Sequence, residues 1–286
     1  SVWILMLNEL YHSLSPVAFE LGPLVVRWYG LAYLAAFVVG GLVIGRIVKR
    51  WSLDLSADDI MTGVIGVAFG AIIGGRLGYV LFYGAGYYWA HPLEILAFSQ
   101  GGMSFHGGLV GAILGGIIAC RPFHISVATF CDLGVIVAPI GLFFGRLANF
   151  VNGELWGKPT DLPWGVVFET GGAVARHPSQ LYEAFLEGIV LFAILYALSR
   201  KLPPRPQGTF LGWFLVLYGC FRILVEFVRV PDAQLGYLFG PITMGQVLSL
   251  PLVAAGVAVL VWARKTRHPQ RGHTYDTTQG ADRPVD

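Results

Sequence analysis

The sequence predicts an all-α polytopic membrane protein: seven transmembrane helices with a small outer head. Three observations carry this. The 286 residues are 55% hydrophobic and only 13% charged, with mean hydropathy +0.65, where a soluble domain carries about 25% charged residues. Seven apolar runs stand roughly at 22–45, 58–83, 106–121, 127–149, 179–199, 208–229 and 242–262, most of them near the 20 residues that a bilayer span needs. The lysines and arginines are also one-sided along those runs. A net charge of +2 gives no reason to expect a nucleic-acid partner.

Taken in order, residues 1–21 contain no Lys or Arg. They show no basic n-region or small-residue cleavage site, so no removable signal peptide is expected. After the first run come Arg46, Lys49 and Arg50. "SADD" (56–59) reads as a helix N-cap box opening the second run. The third run is short, so "GGMSFHGG" (101–108) is expected as its irregular entry at membrane depth. Backbone of that kind must be buried in protein or line a wet cavity. Arg121 follows the third run, Arg200, Lys201 and Arg205 the fifth, and Arg264, Lys265, Arg267, Arg271 and Arg283 the seventh. By the positive-inside rule these twelve of the nineteen basic residues put the N-terminus outside and the C-terminus in the cytoplasm. The outer loop between runs four and five holds Lys158, Arg176 and the Trp-, Pro- and Gly-bearing "ELWGKPTDLPWG", which suits a compact head over about 151–178. One domain is expected over 1–262, with a polar, disordered tail over 263–286. Cys120, Cys131 and Cys220 lie in or beside apolar runs without a CxxC. They read as small buried hydrophobes, with no disulfide framework, thiolate metal site or cofactor implied.

Charges inside the apolar runs are the functional signal, because an ionised side chain at the bilayer centre costs about 2.5–3.5 kcal/mol even on lenient scales. Arg27 and Arg229 stand at run ends, where snorkelling is one explanation and a functional role the other; Arg76, Arg146 and Arg222 are harder to explain by snorkelling. In "YGCFRILVEFVR", Tyr218, Arg222, Glu226 and Arg229 form one polar stripe at helical spacing. Arg222 and Glu226 either neutralise each other, or Glu226 orients Arg222 toward a ligand. "GGRLGY" (74–79) and "FGRLANF" (144–150) both place Gly-Arg-Leu near the outer end of a helix. Guanidinium forks bind phosphate bidentately, so an intramembrane arginine cluster points to an anionic lipid headgroup. "GRLANFVNGELWG" (145–157) is the densest polar run, with Arg146, Asn149, Asn152 and Glu154 around a helix break at Gly153.

That run resembles the signature of the prolipoprotein diacylglyceryl transferases. "RWYGLAY" (27–33), "GGRLGYVLFY" (74–83), "GGMSFHGG", "RHPSQLYE" (176–183), "YGCFRILVEFVRVPDAQ" (218–234) and "MGQVLS" (244–249) also resemble that family, in its order, over about residues 20–262. The outer head is compact compared with some members. The resemblance implies seven spans, a periplasmic N-terminus and the bacterial inner membrane. It also implies a reaction: a diacylglyceryl group passes from phosphatidylglycerol to the lipobox cysteine thiol of a prolipoprotein, giving a thioether and glycerol phosphate. The implied partners are phosphatidylglycerol, the prolipoprotein signal peptide and the lipid bilayer.

By the same resemblance His106 matches an essential histidine and is the candidate base for the thiol, directly or as a positioning group. Its flanking glycines are expected to let backbone approach lipid or peptide. Ser104 nearby has no oxyanion or elbow motif to make a hydrolase pair. Tyr29, Arg146, Asn149, Glu154, Gly157, Tyr218, Arg222 and Glu226 match functional positions. Arg146 and Arg222 would hold phosphate, with Arg76 a further candidate for lipid binding. Asn149 and Glu154 would orient Arg146 and the headgroup hydroxyls, with Gly157 beside them. Tyr29 and Tyr218 would donate hydrogen bonds. His177 and Gln180 would brace the start of the fifth run. The competing class is a transporter or flippase for an anionic lipid, using the same arginines without a base; the runs show no inverted halves.

Overall fold

The computed structural model describes residues 2–84, 86–97, 104–230, 237–240 and 242–275. Six helices among these are long and apolar enough to cross a membrane: Trp28–Arg50, Ala57–Phe82, Val127–Asn152, Ser179–Ser199, Thr209–Glu226 and Gly245–Thr266. A seventh, Gly107–Phe123, is apolar but shorter. The chain is therefore a helical, multi-pass membrane protein, and each helix falls on one of the seven expected runs. The described residues fall into two compact units, those within 1–51 and 132–269, and those within 52–131 and 270–275.

The first unit opens with α1 (Val2–Ser13) and a hairpin of β1 (Val17–Leu21) and β2 (Leu24–Arg27). Leu21 pairs with Leu24, and the turn between them is Gly22-Pro23, with Gly22 at φ 62°. A two-residue turn that begins with positive φ favours glycine there and matches the strand twist. Helix α2 (Trp28–Arg50) therefore starts at Trp28 rather than near residue 22. Val25 and Val26 lie in a strand, as β-branched residues favour.

Helix α6 (Val127–Asn152) leads into the head. The helix after the head begins as α7 (Ser179–Glu183), passes through a π-helical stretch at Ala184–Val190 and ends as α8 (Leu191–Ser199). Asp132 on α6 accepts from the backbone N–H groups of Gly208 (2.9 Å) and Leu211 (3.0 Å), capping α9 (Thr209–Glu226). Strands β3 (Tyr237–Phe239) and β4 (Ile242–Thr243) pair before α10 (Met244–Thr266), whose start is capped reciprocally by Thr243 and Gln246. Helices α9 and α10 pack through glycine: a Cβ on Gly256 would strike the carbonyl of Gly212 and the Val216 side chain. The head has its own small core of Tyr11, Phe150, Val166 and Phe168, so α1 is part of the head. Asn8 accepts from the Val167 N–H at 3.0 Å, and Tyr11 from that of Glu169 at 3.3 Å.

The second unit contains α3 (Ala57–Tyr83), the single turn α4 (Tyr87–Ala90), a 3₁₀ turn at Pro92–Leu96 and α5 (Phe105–Cys120). Ser56 and Asp59 form the expected capping box. Helices α3 and α5 meet backbone to backbone. A Cβ on Gly66, Gly70 or Gly74 would collide with the carbonyl of Gly115, Gly111 or Gly107, respectively. Small residues four apart allow this approach within a membrane. The expectation that the glycines around His106 meet lipid or peptide is thus corrected at Gly107, which packs on Gly74 and Gly78 of α3.

The polar tail also differs from expectation. Helix α10 continues to Thr266, and residues 270–275 join the second unit. Gly272 N–H donates to Asp54 at 2.9 Å, Ser126 N–H to the Gly272 carbonyl at 2.8 Å, and His273 meets Asp54 at 2.8 Å. Residues 276–286 lie outside the described residues. All three cysteines are free; Cys120 is buried as expected, but Cys220 is exposed on α9.

Candidate active site

In the first unit the polar residues that apolar helices should not tolerate come together. Glu183, the last residue of α7, has no solvent exposure. Arg146 of α6 meets its carboxylate through Nε at 2.5 Å, Arg222 of α9 through Nη1 at 3.6 Å, and Arg229 through Nη1 at 3.7 Å. Arg222 also reaches Glu226 at 3.4 Å through Nη2. Glu226 is itself buried against Gly245, where a Cβ would strike its carboxyl. Buried charges persist when paired in this way and become costly when one partner is removed.

One helical step beyond Glu183, Glu187 is also fully buried, and neither of its carboxyl oxygens has a hydrogen-bond partner among the described residues. It sits on the π-helical stretch, a deviation frequent at functional sites. Arg222, Arg146 and Arg229 are the cations that act on it.

Arg146 begins a second chain of contacts. Its Nη1 donates to Asn149 Oδ1 at 3.4 Å, and its Nη2 has no partner among the described residues. Asn149 Nδ2 donates to Tyr29 Oη at 2.9 Å and to Glu154 Oε2 at 3.1 Å. Glu154 is held from behind, because its backbone carbonyl accepts from Gln180 Nε2 at 2.6 Å. Gly153 (φ 68°) ends α6 next to the Tyr11 hydroxyl, where no side chain fits. Tyr218 stacks on Phe214, and its hydroxyl has no hydrogen-bond partner among the described residues.

Gly157 has a visible packing reason. Its N–H donates to the His177 carbonyl at 2.9 Å, and a Cβ there would hit the Val228 carbonyl and His177. Glycine thus lets this head segment pass between the start of α7 and the segment bearing Arg229, to which it is bridged. Lys158 tightens the same junction, with Nζ donating to the Phe227 carbonyl at 2.9 Å. Arg176 stacks over Trp156 at 4.1 Å and donates to the Gly171 carbonyl. His177 Nδ1 and Tyr182 Oη lie 3.0 Å apart. Burial, and then the nearby Lys158 charge, push the His177 ring below its ordinary pKa.

Two sequence candidates lie in the second unit. The Arg76 guanidinium donates to the carbonyls of Ile95 (2.9 Å) and Glu94 (2.7 Å) and stacks on Tyr79 and Tyr88. It fastens the 3₁₀ turn to α3, a packing role that leaves little of its fork for lipid. His106 belongs to the first turn of α5, whose N-cap is Ser104. Ser104 accepts from the Gly107 N–H, so its hydroxyl is occupied by capping. Residues 101–103 and the His106 side chain lie outside the described residues.

Sequence reasoning missed Glu183 and Glu187. The signal was present: two carboxylates in a run read as a span call for partners, but the inventory of charges in the fifth run was not made.

A sequence profile of the family described as prolipoprotein diacylglyceryl transferase matches residues 16–262. The chain is 51% identical over 257 residues to a phosphatidylglycerol–prolipoprotein diacylglyceryl transferase of Geobacter sulfurreducens, covering 89% of this chain and 98% of that protein. It is 50% identical to the enzyme of the same name from Rhodospirillum rubrum, over 90% and 95% of the two chains. For that of Nitrobacter hamburgensis the identity is 45%, over 96% and 98%.

Proposed function

The chain belongs to the prolipoprotein diacylglyceryl transferase family, and we propose that its arginine–glutamate cluster handles the phosphate of the lipid substrate. The enzyme transfers the diacylglyceryl group of phosphatidylglycerol to a prolipoprotein. The acceptor is the lipobox cysteine thiol. A thioether requires sulfur to attack the glycerol carbon, so the C–O bond breaks and its electron pair leaves on the phosphate oxygen of glycerol phosphate. The thiol gives up its proton to a base. The observation that carries this reading is the convergence of Arg146, Arg222 and Arg229 on Glu183. Guanidiniums fixed in place by buried carboxylates present preorganised N–H donors, which stabilise charge developing on a leaving phosphate.

Roles follow from the contacts. Glu183 braces the arginines from inside the helix bundle. Glu226 turns Arg222, and Asn149 with Tyr29 and Glu154 turns Arg146 so that Nη2 remains for the phosphodiester. Tyr218 offers a hydroxyl. Gly157 keeps the head segment close enough to fix Arg229, while Arg76 acts through packing in the other unit. By family resemblance His106 serves the thiol as its base, directly or as a positioning group; its backbone belongs to the first turn of α5. The protein lies in a bacterial inner membrane, N-terminus periplasmic and C-terminus cytoplasmic, as the one-sided basic residues suggest.

The test is turnover. Purified protein in vesicles containing phosphatidylglycerol should add one diacylglyceryl mass to a cysteine peptide with a lipobox, through a base-stable thioether. Lipid movement between leaflets without any thioether would favour the transporter reading.

A further inference from the structure

The same two helices that end near the arginine–glutamate cluster carry a second cationic feature at their other ends. Helix α9 is eighteen residues long, about 25 Å at the usual rise. Glu226 stands at one end and Thr209 at the other. At the Thr209 end, a groove of about 500 Å³ lies against α10. Arg205, Arg264 and Arg267 line it, together with Trp213, Val257 and Val261. Among the described residues, its lining contains no acidic side chain.

The three arginines reach the groove from different places in the chain. Arg205 precedes α9, Arg264 belongs to the last turn of α10, and Arg267 is that helix's cap, at φ 52°. Arg264 and Arg267 are exposed, and neither has an ion-pair partner among the described residues. A positive-inside bias explains cations near a span end; it does not explain three of them around one groove with an apolar floor. Trp213, Val257 and Val261 are themselves exposed on helices long and apolar enough to span a membrane, so the floor faces acyl chains. An aromatic ring with aliphatic neighbours below a ring of cations matches a phospholipid in charge and polarity: phosphate at the arginines, first acyl methylenes along the helices. Basic pockets between transmembrane helices bind anionic headgroups by this logic.

We propose that this groove is a second lipid site, separate from the catalytic cluster, which holds an anionic glycerophospholipid of the leaflet at the Thr209 end. The occupant is the intact lipid, because free phosphate would leave the apolar floor uncovered. The inference goes beyond the transfer reaction and does not depend on it.

The experiment measures binding without turnover. The purified full-length protein is placed in phosphatidylcholine nanodiscs doped with dioleoylphosphatidylserine, an anionic lipid other than the glycerol-headgroup donor. Retained lipids are counted by native mass spectrometry. Wild type should retain phosphatidylserine over phosphatidylcholine. Each Arg→Gln change at 205, 264 or 267 should weaken retention about five-fold, a typical contribution of one basic residue at a membrane surface. Arg146→Gln should leave this site intact. The combined Arg205→Gln, Arg264→Gln and Arg267→Gln variant should lose the preference altogether; Val257→Trp, which fills the groove without altering charge, should exclude the lipid and serves if that triple variant does not fold. Equal retention by wild type and either groove variant would overturn the proposal, as would equal binding of phosphatidylcholine. Displacement by millimolar glycerol 3-phosphate would make this a free-phosphate site and overturn it as well.

Discussion

Glu183 shows how one residue can order a site it does not itself complete. Its carboxylate has no exposure and three guanidinium neighbours. Glu183→Gln should therefore leave buried cations uncompensated and cost about 3–5 kcal/mol, seen as a fall in the detergent melting temperature together with lost transfer activity. An unchanged melting temperature would mean that the arginines balance one another through Glu226 and Glu187 alone. His106 poses a different question, because its proposed role is proton transfer. His106→Gln should retain phosphatidylglycerol binding while turnover falls by about 10²–10⁴-fold, the usual yield of a general base. Raising the pH toward the thiol value of about 8.5 should recover part of that rate. An impaired variant with a flat pH profile would assign His106 to bracing its helix.

At the scale of elements, the α3–α5 pair depends on bare backbone. A Cβ on Gly111 would overlap the carbonyl of Gly70, and neither helix backbone can yield locally. Gly111→Val should push the helices apart, costing about 1–3 kcal/mol by overpacking. Thermal unfolding in detergent measures this, and a neutral result would contradict the close packing. The helices themselves were legible in the sequence, because apolar run length and the Ser56 cap are local signals. The β1–β2 hairpin was not: Leu24, Val25 and Val26 continue the hydropathy of α2, and only Gly22-Pro23 marks the turn. Gly107 was misread for a related reason. A glycine-rich entry beside a histidine looks like a ligand loop, whereas the four-residue repeat of Gly66, Gly70 and Gly74 on α3 was the stronger clue to helix packing.

For the whole molecule, the distribution of charge gives a sidedness that can be checked directly. In a background lacking Cys120, Cys131 and Cys220, single cysteines at Ala90 and Asp161 should react with an impermeant maleimide added outside intact cells. Reaction only after cell opening would reverse the proposed orientation. Much of the candidate site was legible too: Arg146, Arg222, Asn149, Tyr29, Glu154 and Glu226 were all singled out, and the structure joins them in one contact network. Arg76 was singled out with them because Gly-Arg-Leu repeats at similar depth. Its carbonyl partners 18 and 19 residues away are invisible to a motif. The buried carboxylates went unassigned for the converse reason, since their partners are brought in by tertiary packing from α6, α9 and the segment after it.

In the proposed reaction the guanidinium fork of Arg146, held by Glu183 and Asn149, stabilises the departing phosphate. This role is tested most directly by steady-state thioether formation with Arg146→Lys, which keeps the charge and removes the planar fork. A fall of about 10²–10³-fold in kcat is expected, the scale seen when one preorganised donor is lost, in a protein that still folds and remains in the membrane. Turnover at the wild-type level in Arg146→Lys would contradict it.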